Sequence, residues 1–202
     1  MNELDDNKKS IRFVARGAET GNMDIKAQYR KTKSNSREQD LFTIREACIS
    51  DVEDILVLIN GFANLNLMLS RGPQYLYENI KDFVVAVVET GVDNKSAKKK
   101  GAIVACGSMH VLWKDVAEIR SLTTHPDFQM HGLGKRIIER LIEDARYIGV
   151  EKVFALTLKA DFFKKLGFIL KKKEDLPYKV WGECRQCPKY FNCDEVGVIL
   201  EL

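Results

Sequence analysis

Three sets of residues have the types and spacing to do chemistry. The first is a glycine turn, Gln129-Met130-His131-Gly132-Leu133-Gly134. Glycines that lead the chain into a helix leave several backbone N–H groups facing outward, and the helix dipole favours negative charge there, so the turn is a candidate phosphate cradle. Two better-known cradles are excluded. A P-loop needs a glycine five positions before its Gly-Lys pair and a Ser or Thr after it, where Gln129 and Arg136 stand; a dinucleotide fingerprint needs a third glycine in place of Ile137. The second set is charged. Arg71 and Arg120, with Lys179 as a weaker third, can grip carboxylates, since a guanidinium meets a carboxylate in a bidentate fork. Glu118 and Arg120 are two apart on an extended stretch, hence on one face about 7 Å apart, so an ion pair is the competing reading. The third set is Cys184, Cys187 and Cys193 in C-x2-C-P-x4-C. That spacing suits zinc or part of an iron–sulfur cluster, with a fourth ligand from Cys48, Cys106, His110, His125 or His131. The alternative is reduced thiols packed in a loop.

The elements that must position these residues read clearly. AEIRSLTTHPDFQMHGLGKR is a strand from Glu118 to Thr124, a loop marked by Pro126, then the glycine turn opening a helix. Leu133, Ile137, Leu141, Ala145 and Ile148 keep the helical period, and Gly149 sits where the helix should stop. Upstream, LFTIREA is a strand, and Ser50 is the expected N-cap of the helix DVEDILVLINGFA, whose first turn is acidic. Pro73 suits the start of a second helix ending near Lys81. FVVAVVET and GAIVACGSMHVLW are strands joined by the charged turn DNKSAKKK. EKVFALTL, almost purely apolar, is a strand buried inside a sheet. ADFFKKLGF is a short helix closed by Gly167, with a strand from Phe168, and VGVILEL after the cysteine loop is the closing strand. The fold class is α/β (α+β): one mixed sheet flanked by helices.

The bulk properties narrow the function classes. The chain has 202 residues, 45% hydrophobic and 30% charged, with formal net charge +3. That is one folded domain over residues 41–202, with residues 1–40 too poor in large apolar side chains to fold, Ile11, Phe13 and Val14 notwithstanding. The net charge is too small to argue for nucleic acid. No apolar run has membrane-span length, and MNELDDNKKS lacks the apolar core of a secretory signal. Five cysteines, an odd number without an export signal, point to the reducing cytoplasm.

Q-x-x-G-x-G between this strand and this helix resembles the pyrophosphate loop of the GNAT superfamily of acetyl-coenzyme A-dependent N-acetyltransferases. ADFFKKLGF resembles the superfamily's F-Y-x-x-x-G-F helix and turn, and the order of elements matches throughout Leu41 to Leu202. More narrowly, LMLSR, CGSMHVLWKDVAEIRSL and EDLPYKVWGECRQCPKYFNCDE resemble the short, single-domain amino-acid N-acetyltransferases that make N-acetylglutamate in arginine biosynthesis. The amino-acid kinase domain of the long N-acetylglutamate synthases is not expected, a 40-residue leader being too short for one.

The resemblance implies a sheet splayed at its central strand for acetyl-CoA. Leu122, Thr123 and Thr124 would pair through their backbone with the pantetheine arm, and Leu122 N–H would donate to the acetyl oxygen, a donor fixed before the reaction. The N–H groups of Met130, His131, Gly132, Leu133, Gly134 and Lys135, with Gln129 nearby, would hold the pyrophosphate; Lys135 and Arg136 lend charge or form a solvated helix face. Glu118 would be the general base, eleven residues before Gln129 as in histone-acetylating members. An ammonium acceptor is mostly protonated at neutral pH, and a carboxylate that takes its proton is typically worth ~10²–10⁴ in rate. Arg71 matches a substrate-binding arginine of acetylglutamate-forming relatives. Many members carry a tyrosine at Phe163 that protonates the departing thiolate; Phe163 cannot, and no general acid is assigned. The expected partners are a small amino-acid substrate, with L-glutamate the leading acceptor, and a second copy in a homodimer. The alternatives are another small amine, a protein N-terminus, or a non-catalytic acyl-CoA-binding regulator.

Overall fold

A computed structural model of the chain describes residues 41–89, 101–176, 184, 185, 187 and 189–202. The segment 1–40, the charged turn 93–100 and Lys179 lie outside the described residues. The described strands form one seven-stranded sheet in the order β1-β2-β3-β4-β5-β7-β6. They are β1 Phe42–Glu46, β2 Phe83–Glu89, β3 Gly101–Trp113, β4 Val116–Thr124, β5 Lys152–Thr157, β6 Ile169–Lys171 and β7 Val196–Glu201. All neighbours are antiparallel except β4 and β5, which are parallel and joined by a helical crossover. The last strand is not an edge: β7 inserts between β5 and β6. The helices are α1 Val52–Ala63, α2 Pro73–Asn79, α3 Leu133–Ile148 and α4 Ala160–Lys164.

The continuous apolar run of β2 follows from burial on both faces. Val84, Ala86 and Val88 pack in the layer under α3, while Phe83, Val85 and Val87 pack under α1 and α2. The same alternation places Val153 and Ala155 of β5 with the α3 layer and Phe154 in a third, smaller cluster with Val116, Leu176 and Ile199. The second face therefore has two covers, α1–α2 on one half and the segment around Leu176 on the other.

Helix α3 runs from Leu133 to Ile148 and stops at Gly149, as its sequence predicts. Its buried stripe is broader than expected, since Ile138 and Ile142 join Leu133, Ile137, Leu141 and Ala145. Ile148 is not part of it: at 52% exposed it stands clear of the sheet, and Val150, after the turn, fills the core instead.

The expected Ser50 cap is also corrected. A 3-10 turn, Ile49–Asp51, precedes α1, and Asp51, not Ser50, holds the N-cap position of α1, without a side-chain cap bond to that helix; its Oδ2 closes the preceding turn, accepting from Cys48 N–H at 2.8 Å. Arg45 grips the same carboxylate in a fork, Nη1 to Oδ2 at 2.6 Å and Nη2 to Oδ1 at 2.9 Å. Ser50 Oγ lies 3.2 Å from Cys48 Sγ. A charged acceptor held by a fork outcompetes a neutral hydroxyl. Burial alone would raise the Asp51 pKa, but the hydrogen bonds from Arg45 and Cys48 leave it below the ordinary 3.8. Its stabilisation is therefore present above the ordinary carboxylate range and lost as pH falls through the lower folded value. Asp51→Asn is expected to destabilise the fold by about 1–2 kcal/mol at neutral pH. In urea unfolding, that difference should shrink towards zero in acid below the carboxylate range.

Candidate active site

The sheet opens at its centre. β4 pairs with β5 over Val116–Glu118 only, although β4 continues to Thr124 and β5 to Thr157. Beyond Glu118, the β5 side of β4 has no strand partner among the described residues. At the same place β4 carries a bulge. Ser108 stands opposite Arg120 and Cys106 opposite Thr123, so Ser121 and Leu122 share the space opposite Gly107. Ser121 takes φ +54° to make it. A bulge re-aims side chains. Glu118 and Arg120 lie on the α1–α2 face, whereas Leu122 turns to the α3 layer and Thr123 comes back opposite Cys106.

The glycine turn lies beyond the end of β4. Gln129 Nε2 donates to Thr124 C=O at 3.4 Å. His131 Nδ1 sits 2.9 Å from Gln129 C=O and 3.1 Å from Phe128 C=O, so its ring holds the turn in shape. Met130 takes φ +68° with its side chain fully exposed, and Gly132 takes φ +72° at the helix N-cap. A Cβ on Gly132 would meet nothing within 4 Å, so glycine is there for its backbone conformation. The first ladder bond of α3 is Arg136 N–H to Gly132 C=O at 3.1 Å, which leaves the N–H groups of Leu133, Gly134 and Lys135 outside the ladder. Gly134 faces Phe162, whose ring a Cβ would meet at 3.4 Å. Of the two cations expected here, Lys135 pairs with Glu139 at 3.6 Å and Arg136 donates to Phe42 C=O at 3.0 Å, tying α3 to β1.

An open hollow of about 420 Å³ lies at the end of β5, lined by Thr157, Lys159, Asp161, Phe162 and Val196 among others. Phe162 thus links the hollow to the turn. Thr123 Oγ1 is buried without a hydrogen-bond partner among the described residues. Outward N–H groups, an open strand edge and a flanking hollow fit an elongated cofactor with a phosphate-bearing end. Phe163 is buried, its ring edge-on to Phe162 and Phe168 with centroids 5.3 and 5.2 Å away, and it has no proton to give.

Inside the splay, on the α1–α2 face, is a polar floor. Glu118 and Arg120 come together as an ion pair: Arg120 Nε donates to Glu118 Oε2 at 2.7 Å, and Nη2 reaches the same oxygen. Glu118 is only 7% exposed. Opposite Glu118 on β3 stands His110, with Asp82 Oδ2 2.9 Å from Nδ1 and both Ser108 Oγ (3.0 Å) and Tyr75 OH (3.1 Å) at Nε2. The Arg71 guanidinium stacks over the Tyr75 ring at 4.1 Å, and its backbone is fixed by Asn60, Nδ2 to Arg71 C=O at 3.0 Å and Arg71 N–H to Oδ1 at 2.9 Å. Glu118, Arg120 and Arg71 were legible as candidates; Tyr75, Asp82 and Ser108 were not, and His110 was read only as a metal ligand. The signal was Ser-x-His on one strand set against Glu-x-Arg on the next, which only the register makes visible.

The cysteine segment lies over the other half of the floor. Burial, then the nearby charge of Glu118, pushes the Cys184 thiol up to about 11. Glu195 is raised as well, by burial first and Asp194 second. Lys173 Nζ donates to Cys193 C=O at 3.0 Å, and Lys189 Nζ reaches Asn66 C=O at 3.1 Å, joining this segment to the loop between α1 and α2. The expected metal finds no support here. Among the described residues no group of three His, Cys, Asp or Glu side chains could hold an ion. Likewise, no described helix is long and apolar enough to cross a membrane.

Comparison with known proteins agrees with this geometry. Residues 68–168 match the profile of the Acetyltransferase (GNAT) family. A Chlorobaculum tepidum protein named as an uncharacterized N-acetyltransferase is 33% identical over 159 residues, 79% of this chain and 96% of the relative. An amino-acid acetyltransferase of Mycobacterium tuberculosis is 35% identical over 125 residues, 62% of this chain and 67% of the relative. A Mycobacterium tuberculosis protein solved in complex with CoA and NLQ superposes with a TM-score of 0.62 at 28% identity, covering 79% of this chain and 99% of that one. N-acetylglutamate synthase from Neisseria gonorrhoeae, complexed with coenzyme A and N-acetyl-glutamate, gives 0.67 at 24% identity over 80% of this chain. This chain spans 35% of that synthase's length, and the likeness is one of fold.

Elemental analysis of protein purified without chelators is expected to find zinc and iron well below one equivalent. A full equivalent lost on mutating Cys184 would reinstate the metal site.

Proposed function

From the premise that this chain belongs to the GNAT acetyltransferase family, we propose that it acetylates the α-amine of an amino acid, with L-glutamate as acceptor, in the first step of arginine biosynthesis. The observation that carries the proposal is the meeting of three features: outward N–H groups on the 129–135 turn, an edge of β4 without a strand partner among the described residues, and a buried carboxylate paired with Arg120. The amide donors of the turn hold the pyrophosphate. The backbone of Leu122, Thr123 and Thr124 takes the pantetheine arm as one more strand, and Leu122 N–H stabilises the acetyl oxygen as it becomes an oxyanion.

In the reaction, Glu118 removes a proton from the acceptor ammonium. The freed amine attacks the thioester carbon, a C–N bond forms and the C–S bond breaks; the departing thiolate takes the second proton from the nitrogen, and coenzyme A leaves as thiol. A thiol with an ordinary pKa near ~8.5 leaves acceptably without a tyrosine at Phe163. Taking up the proton ends the Glu118 pair with Arg120, and that frees the Arg120 guanidinium for the substrate at the moment of reaction. Arg71, oriented by Tyr75 and Asn60, grips a carboxylate; Lys179 is a further candidate for the same role.

A second acceptor class is favoured by one observation. Arg120 is committed to Glu118 before the reaction, which leaves the pocket better matched to an amino acid with one carboxylate, such as glutamine, than to one with two. A thiol-release assay across the free amino acids separates these readings, and silence with all of them overturns the enzyme assignment in favour of an acyl-CoA-binding regulator. Glu118→Gln is expected to lower kcat by about 10²–10⁴ while sparing acetyl-CoA affinity. Arg71→Ala should act on the acceptor, raising its KM by roughly tenfold or more with little change in kcat.

A further inference from the structure

Building on the acetyl-transfer reading, we propose that His110, paired with Asp82, receives the proton that Glu118 takes from the acceptor and stores it until product leaves. His110 is 7% exposed and stands directly opposite Glu118 across the β3–β4 pair. Residues so placed have Cβ atoms about 4.5–5.5 Å apart, within reach of long side chains or one bridging water. The titratable and charged groups facing its ring are Tyr75 from α2, Asp82 from the turn after α2, and Glu118 and Arg120 from β4; β2 contributes the Phe83 ring, edge-on with centroids 6.4 Å apart.

Asp82, His110 and Ser108 are hydrogen-bonded in the order of a nucleophilic triad, but Ser108 is no nucleophile. It is fully buried, and its hydroxyl donates to Arg120 C=O at 3.2 Å. That commitment fixes what the two oxygens at Nε2 can do. Ser108 Oγ, its proton already given, can only accept from the ring; Tyr75 OH can donate to it. A neutral ring, with Nδ1–H on Asp82, accepts at Nε2 from Tyr75. A protonated ring donates Nε2–H to Ser108 Oγ and keeps Nδ1–H on the Asp82 carboxylate. Both protonation states are hydrogen-bonded with every heavy atom in place, and only a hydroxyl hydrogen turns. A buried group needs that arrangement if it is to gain and lose a proton without cost to the fold.

Of the two protons the acceptor ammonium loses in each turnover, one leaves with coenzyme A and the other stays on Glu118. Glu118 passes it to His110 Nε2 and returns to its pair with Arg120. The imidazolium is balanced by Asp82, whose side chain is 39% exposed. Once the acetylated product leaves and water enters, Nε2–H gives the proton to water, and the site is reset.

The test is kcat/KM against pH in the thiol-release assay for the wild type, His110→Gln and Asp82→Asn. In the wild type, kcat/KM should rise with pH, part of the rise belonging to His110. His110→Gln should lose that part of the rise and fall about 10²-fold at neutral pH, with acetyl-CoA affinity retained. Asp82→Asn, a milder change near the surface, should move the rise to lower pH, because the imidazolium loses its counter-charge. Unaltered pH profiles in both variants, even with a raised acceptor KM, overturn the proton role and leave the acetyltransferase reading intact. If His110→Gln does not fold, an unshifted profile in Asp82→Asn is enough to overturn it. A wild type silent with every amine overturns both readings together.

Discussion

The parting of β4 from β5 after Glu118 is the constraint on which the rest of the structure depends. A parallel pair in mid-sheet ordinarily satisfies its backbone groups strand to strand, and groups left over in a buried place cost free energy. Here the pairing stops after three residues of β4, and the strand goes on for six more. That edge stays stable only because it faces an opening and not packed core. The bulge at Ser121 belongs to the same solution: it turns Leu122 into the α3 layer just where the strand loses its neighbour, so apolar packing holds β4 on one face while the other stays polar.

That polar face would be a liability in a sheet otherwise packed with valine, isoleucine and phenylalanine. It is tolerated because its charges are paired inside the protein. Glu118 is held by Arg120, His110 by Asp82, and Ser108 carries the network from the imidazole to the backbone of β4. Removing one member would leave its partner buried and uncompensated, which is why such networks are kept whole or not at all. The same pairing holds each side chain in one orientation, and a site that must place an amine against a thioester needs that.

Two covers close over the floor from opposite sides. Helices α1 and α2 bring Tyr75 and Arg71, and the cysteine segment brings Cys184 and Glu195; they meet where Lys189 reaches the Asn66 carbonyl. Both the Cys184 thiol and the Glu195 carboxyl are raised, chiefly by burial.

The elements themselves were fixed by local patterns. Alternation in β2 and β5, the helical period of α3 and the stop at Gly149 are properties of neighbouring residues, and the Q-x-x-G-x-G turn was legible as a candidate phosphate cradle for the same reason: its N–H groups are backbone groups within six positions. What needed tertiary structure was every pairing across distance. Ser50 looked like a cap, but Arg45, brought in from β1, made Asp51 the stronger acceptor. Ile148 kept the period yet ran past the sheet, and the cysteine spacing suited a metal for which the described residues gather no group of three ligands. Above all, Tyr75 and Asp82, far from His110 in the chain, meet its ring only through α2, the turn that follows it and the pairing of β2 with β3. Sequence sets which residues a strand or helix can offer; which partner each one finds depends on register and on the bulge, and no short window of residues contains either.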